Sequence, residues 1–535
     1  MLSWRRMSWL AAAATCLLVA GCHGARRDPG TIVFLIESSP NSLDPRVGTD
    51  AQSERIDPLM FDGLVQRDAH FHFQPALATD WTQPDPLTLI FHLRRDVRFS
   101  DGRRLTAADV VWTLESMRKG WVVTPKAASY DAVASVDAPD SWTVRLRLKH
   151  PDLFLLGNLS SSAMGIVPAG SGADFWQHPI GTGAFRLVRQ EMDKEVLLER
   201  NPYAWQQAAG PATGPVTESE TGPETKSGTG SETVQRVRFA VVPDATTRAL
   251  ALRKGTADMV SNALPSDMLP ALAQDPKLVV EDSPGTEVQY LAFNLRDPVL
   301  KQRAVRAAIA YAVDRRLIVQ TLLGGHAQLA ASLLPTTHWA YTQQVEQYGY
   351  DPGRARALLD AAGFPAGRDG VRLRLTMKTS TDEGTRLLAV ALQQQLAQVG
   401  IALEIHSMET ATFFADITHG AFQMYSLRWV GGNEQPDIFS YAFSTARMPP
   451  HGANREHYSN PEVDHLLDEA GRVNDEAVRR ADYVRVQQLL AAELPVENLW
   501  YLDSILVMNR RIHDVRPSPS GDYLFLRTAK VSTPE

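Results

Sequence analysis

Trp429, Gly432, Asn433, Glu434 and Asp437 fall in one short run, Arg428-Trp429-Val430-Gly431-Gly432-Asn433-Glu434-Gln435-Pro436-Asp437-Ile438-Phe439. An indole stacks on apolar or cationic groups while its N–H gives direction. Asparagine both donates and accepts, and carboxylates pair with cations. This is chemistry for holding a small molecule, and each residue also has a plain structural role. Trp429 can pack as core after the strand Phe422 to Leu427, Asn433 after two glycines suits a turn, and Asp437 after Pro436 suits the cap of a helix starting at Ile438. Glu409 follows the strand ending at Ile405, where it faces ligand or caps the next helix, and Phe413 reads as core. Tyr425 and Ser39 complete the expected ligand-facing set, whereas Asn41 reads as a turn residue.

Bond-breaking chemistry is poorly served. Ser116-Met117-Arg118-Lys119 fits Ser-x-x-Lys and Lys226-Ser227-Gly228 loosely fits a Lys-Thr-Gly partner, as in penicillin-recognising serine enzymes. That mechanism needs the serine at the start of a helix, yet Ser116 falls near the end of a predicted one. The fourteen histidines contain no His-Glu-x-x-His, His70-Phe71-His72 reads as alternating surface, and Gly181-Thr182-Gly183 lacks the continuation of a phosphate loop. No catalytic residue, cofactor or metal ligand set is expected.

The chain opens MLSWRRMSWLAAAATCLLVAGCHGARR, where Arg5 and Arg6 precede an apolar run from Trp9 to Ala20. The run is too short to span a bilayer and reads as a secretion signal. It ends in Leu18-Val19-Ala20-Gly21-Cys22, the arrangement of a lipobox, so lipidation at Cys22 and a membrane anchor are expected. Cys16 and Cys22 are the two cysteines of the 535 residues. Cleavage before Cys22 leaves 514 residues without a disulfide, and a core must stabilise them. The loss of Arg5 and Arg6 leaves 52 basic against 61 acidic residues, a net −9. That balance argues against nucleic acid as a partner.

Elements that could position a site are legible. Thr106 and Asp109 form a capping signal for a helix with Val110, Leu114 and Met117 on one face, ended by Gly120. Leu87 to Leu93 and Val97 to Phe99 read as strands around a turn at Ser100-Asp101-Gly102. A helix from Asp351-Pro352 stops at Gly363, and Leu388, Leu392 and Leu396 mark another that leads through Gly400 into the strand Ile401 to Ile405. The class is α/β or α+β, with several layers. Residues 206–233 carry almost no large apolar side chain and are expected to be a floppy insertion.

Four blocks in order now carry a resemblance. Ala76 to Trp81 leading into Phe91 to Val110, with Phe99-Ser100-Asp101-Gly102 and Leu105-Thr106-Ala107-Ala108-Asp109-Val110, resembles the central signature of the extracellular solute-binding proteins of peptide and nickel ABC importers, family 5. His178-Pro179-Ile180-Gly181-Thr182-Gly183-Ala184-Phe185 resembles the second block and Ala251 to Asp258 the third. Leu291 to Leu295 with Ala304 to Arg315 resembles the fourth, and Glu37 to Pro45 matches the family's beginning.

The resemblance implies a two-lobe periplasmic binding protein fold of type II, with a subdomain inserted in the first lobe. The expected division is a signal over 1–21, first lobe over 22–60 and 176–287, inserted subdomain over 61–175, second lobe over 288–495, and a return to the first lobe over 496–535. Crossings are expected near Val288 to Asn294 and Val496 to Leu506. The implied function is capture of a peptide or peptide-like solute, as a lipid-anchored monomer on the periplasmic side of a membrane, for an ABC permease and ATPase. A nickel chelate or sugar is the alternative ligand of the same fold. Peptide-binding members place an aspartate in a Trp-x-Gly-Asp loop to pair with the ligand's α-amino group. Gly432 stands at that position here, so a ligand without a free amine is favoured over a displaced carboxylate from Glu434, Asp437 or Glu409.

Overall fold

A computed structural model describes residues 30–68, 70–152, 154–160, 164–207, 231–430, 434–449, 451–473 and 475–532. Cys22, Lys226, Gly432 and Asn433 lie outside the described residues.

The segment TIVFLI is rich in β-branched and aromatic residues and forms the strand Thr31–Ile36, buried along nearly its whole length. It is the centre of a seven-stranded sheet whose spatial order is Leu278–Ser283, Ser504–Asn509, Met259–Ser261, Thr31–Ile36, Arg236–Val241, Glu195–Arg200 and Phe185–Glu191. The central strand pairs in parallel with both neighbours, and the remaining pairs are antiparallel. Phe34, Val237, Phe239 and Leu506 pack on one face; Val33, Leu35, Leu252 and Val507 pack on the other.

A second, six-stranded sheet runs Ala327–Leu329, Val496–Leu502, Val288–Phe293, Met424–Trp429, Leu373–Ser380 and Ile401–Met408. Its strand Val288–Phe293 is buried at every position, as expected where both faces are covered. Helix Glu383–Ala397 lays Leu388, Leu392 and Leu396 into the core on one face. Tyr290, Phe413, Tyr425 and Phe439 fill the other.

A third core spans Leu64 to Ile166 around the four-stranded sheet Ala78–Asp85, Thr88–Leu93, Thr143–Leu148 and Val133–Asp140. Helix Ala107–Arg118 covers it; Asp109 Oδ2 accepts from Thr106 N–H at 2.8 Å, and Gly120 takes a φ of 70° beyond its end. Val97 to Phe99 is not a strand. A single Arg98–Arg104 bridge and the Gly102 N–H bond to Phe99 O at 2.8 Å close that turn, with Gly102 at φ 92°. Helix Pro352–Ala361 is capped by Asp351, whose carboxylate accepts from Arg354 N–H at 2.8 Å.

Two crossings join the large sheets. Residues 284–287 connect Leu278–Ser283 to Val288–Phe293, and Asp503 connects Val496–Leu502 to Ser504–Asn509. The strand Val496–Leu502, expected to open the return, belongs instead to the second sheet, where Leu291 pairs with Glu497 and Gln289 with Trp500. Of the expected insertion 206–233, residues 208–230 lie outside the described residues, and both ends are structured. Trp205–Gln207 is a 3-10 turn and Ser231–Thr233 is a strand paired with Lys530–Ser532, since backbone pairing needs no large apolar side chain. Among the described residues no helix is long and apolar enough to cross a membrane.

Candidate ligand-binding site

Strand Met424–Trp429 carries the indole at its C-terminal end, opposite Val288. Trp429 is half-buried, stacked on Tyr290 with ring centroids 6.0 Å apart and 18° between planes, and met edge-on by Tyr441 at 6.2 Å. One part of the ring is thus packed and another is open. Beyond it, Glu434 to Asp437 reach the third core's elements. Arg67, at the end of strand Val65–Arg67, donates to Glu434 Oε2 at 3.1 Å with both side chains nearly buried. Gln435 packs on Gly157 so tightly that a Cβ there would lie 2.2 Å from its Nε2.

Loss of hydration sets the electrostatics here. Burial pushes the Glu434 carboxyl up to about 7 against the opposing charge of Arg67, and pushes Asp437 up to about 6. Arg67 is itself lowered by burial, with Glu434 and Asp437 opposing the shift. Asp437 precedes helix Ile438–Phe443, but its side chain makes no capping hydrogen bond. Its carboxylate therefore belongs to the charged group around Arg67.

A cavity of about 280 Å³ adjoins this pair, lined by Arg67, Phe71 and Glu434 together with Ser518, Asp522 and Arg527 from the returning chain. Asp522 Oδ2 accepts from the hydroxyl of Ser518 at 2.9 Å, and Arg527 donates to Asp62 at 3.2 Å. The Nε–H groups of Arg67 and Arg527 are buried without a hydrogen-bond partner. Phe71, at φ 66°, lies over the His338 ring at 5.5 Å and 24°. His338 Nδ1 accepts from Ala340 N–H at 3.0 Å, and burial lowers its pKa to about 3, so the ring is neutral. Hollows of about 610 and 790 Å³ are larger, but Thr79 to Thr143 line the first and Ser100 to Met192 the second, with nothing from the second sheet's side. Only the smaller cavity of these three joins both sides.

The other expected site residues separate. Tyr425 is not at the cleft: it is fully buried, its hydroxyl donating to Glu456 Oε1 at 2.5 Å, because both faces of its strand are covered there. Glu409 is exposed and accepts from Thr412 N–H at 3.2 Å, as a cap of helix Thr410–Thr418. Ser39 Oγ accepts from Asp193 N–H at 2.7 Å in the turn between strands Phe185–Glu191 and Glu195–Arg200. Asn41 Oδ1 accepts from Ser53 Oγ at 3.1 Å, and Phe413 is core. Ser116, the serine of the enzyme-like motif, is buried and donates to Thr113 O at 2.8 Å. Arg67, Asp522 and Arg527 were not expected, and no local pattern marks them; their meeting with Glu434 depends on chain crossings.

A cavity that joins two sheet-based lobes, lined by charges of both signs, is a place for capture. The description "Bacterial extracellular solute-binding proteins, family 5 Middle" matches residues 72–448. The chain belongs to the bacterial extracellular solute-binding proteins, family 5. Proteins similar to it include Di/tripeptide-binding protein 1 of Pseudomonas aeruginosa (strain UCBPP-PA14), 27% identical over 526 residues and covering 92% of each chain. The glutathione-binding protein GsiB of Salmonella choleraesuis (strain SC-B67) is 27% identical over 499 residues, 91% of each. In structure, DppA from Helicobacter pylori, solved in complex with the peptide STSA, matches 94% of this chain and 98% of its own with a TM-score of 0.72 and 25% identity. This family 5 chain is thus a solute-binding protein of ABC importers with the periplasmic binding protein fold.

Proposed function

We propose that the chain captures a peptide-like solute between its two lobes and delivers it to a membrane permease and its ATPase. The observation that carries this reading is the 280 Å³ cavity at which Arg67 and Arg527 each keep a buried Nε–H without a partner. An anionic ligand group would supply the missing acceptor, and such charge-assisted bonds are strong in a desolvated cleft. Glu434 is already engaged by Arg67, which supports a ligand not anchored through a free amine. Trp429 supplies an aromatic wall. Closure of the lobes would follow from ligand contacts made to both sides at once. Lipidation at Cys22 would hold the protein, as a monomer, to the periplasmic side of a membrane, and a lobe division of 22–60, 176–287 and 503–535 against 288–502, with 61–175 inserted, is part of the same reading.

Mass spectrometry of ligand retained through gentle purification, followed by calorimetry with free, N-acetylated and C-amidated peptides and glutathione, tests the proposal. Saturable binding that survives N-acetylation and is lost on C-amidation is expected. Binding that requires the free amine, or binding of none of these solutes, counts against it. Gly432→Asp should add affinity for free peptides. Cys22→Ser should release the protein from membranes.

A further inference from the structure

The two crossings meet where Gly285 lies against Leu502; a Cβ on Gly285 would sit 2.1 Å from Leu502 O. Beside that contact three side chains converge from three different elements. Asp282 comes from strand Leu278–Ser283 of the first sheet, Asp503 is the returning crossing, and His326 directly precedes strand Ala327–Leu329 of the second sheet. One ligand atom from each lies within 4.8 Å of the others. His326 Nδ1 is 2.9 Å from Asp282 Oδ2, and the backbone holds the set in place through Asp503 N–H donating to His326 O at 3.2 Å.

The cluster is short of positive charge. Asp503 Oδ1 is buried with no hydrogen-bond partner. A cation bonded to all three would satisfy the orphan oxygen and relieve the repulsion between the carboxylates.

We propose that Asp282, His326 and Asp503 form a binding site for a divalent transition metal of the zinc class, built across the hinge. One imidazole and two carboxylates suit zinc, whose bonds to nitrogen and oxygen run about 2.0–2.2 Å, with water completing the shell. Calcium would need six to eight oxygens, a larger set than these three residues offer. Small side-chain rotations bring the three atoms onto one ion. The bound metal ties the first sheet, the crossing and the second sheet together, so it stiffens the hinge on which the lobes turn. No sequence motif announces the set, for Asp282 and His326 are 44 residues apart.

Calorimetric titration of the chelator-treated full chain with Zn²⁺ at neutral pH tests the site. A single saturable site is expected, weakened at least tenfold by His326→Gln and by Asp503→Asn, each variant keeping its circular dichroism and metal-free melting temperature. His72→Gln, which removes the ring near Asp68 and Glu476, should leave binding unchanged. Co²⁺ should give a visible absorption band in the unaltered chain that His326→Gln abolishes, a readout that does not depend on how stable the variant is. No saturable Zn²⁺ binding, or binding equal in the unaltered chain and both hinge variants, overturns the proposal.

Discussion

Burial moves the Glu434 carboxyl up to about 7 while it pairs with Arg67 at 3.1 Å, so the fold favours its protonated form more than the unfolded chain does. The native state then binds more protons between pH 4.5 and 7, and stability falls as pH rises through that window. Glu434→Gln cannot ionise and should flatten this part of the stability profile by up to about 1.4 kcal/mol per pH unit. Chemical denaturation at pH 5 and pH 7 reads the change. Trp429 makes a different prediction because its ring is both packed on Tyr290 and partly open. Trp429→Ala should weaken ligand binding more than tenfold, about 1.4 kcal/mol or more, with a smaller loss of stability from the lost ring stacking. Ligand titration and a ligand-free melt separate the two effects, and an unchanged affinity would remove Trp429 from the site.

At the scale of elements, the segment Glu434 to Asp437 docks on the inserted subdomain through Arg67 and through the space above Gly157. Gly157→Val fills that space, so Gln435 must leave it. Ligand affinity should drop several-fold; because Gly157 is itself buried between the core residues Leu155 and Leu159, circular dichroism beside calorimetry separates the lost docking of Gln435 from any unfolding of the subdomain. Helix Glu383–Ala397 shows the opposite behaviour. Leu392 is fully buried against the second sheet, so Leu392→Ala should cost about 2–5 kcal/mol without altering the affinity of the folded fraction.

Across the whole molecule several buried carboxylates shift in one direction, whereas Glu195, held between Arg189 and Arg238, shifts the other way. Glu456 and Glu497 are raised to about 7 by burial, as Glu434 is, and Asp437 to about 6. His338, held neutral with a pKa of about 3, opposes them below about pH 6.5, where the unfolded imidazole gains a proton. Three glutamates outweigh His338 and His457, whose pKa burial also lowers, so the melting temperature should rise as pH falls from 8 to about 6. A flat or inverted profile would mean that these carboxyls are more hydrated than their burial implies. The crossings are equally exacting. Gly285 sits so close to Leu502 O that Gly285→Val must displace backbone, and it should lower the melting temperature and blunt any ligand-induced compaction seen by small-angle scattering.

By itself the sequence determined what short-range forces decide. Thr106 with Asp109, Asp351 and Gly363 mark helix ends through hydrogen bonds and backbone angles that span a few residues, and the leucines 388, 392 and 396 mark a buried face. The ordered blocks from Glu37 to Arg315 were enough to indicate the family. Only the tertiary structure decided the site. Arg67 meets Glu434 across 367 residues, Asp437 makes no capping hydrogen bond although its position suits a cap, and Tyr425 vanishes into a core covered on both faces. Strand Val496–Leu502 joined the second sheet for the same reason. Strand pairing and charge pairing are settled by which surfaces meet after the chain has crossed, and a local residue pattern carries no record of that meeting.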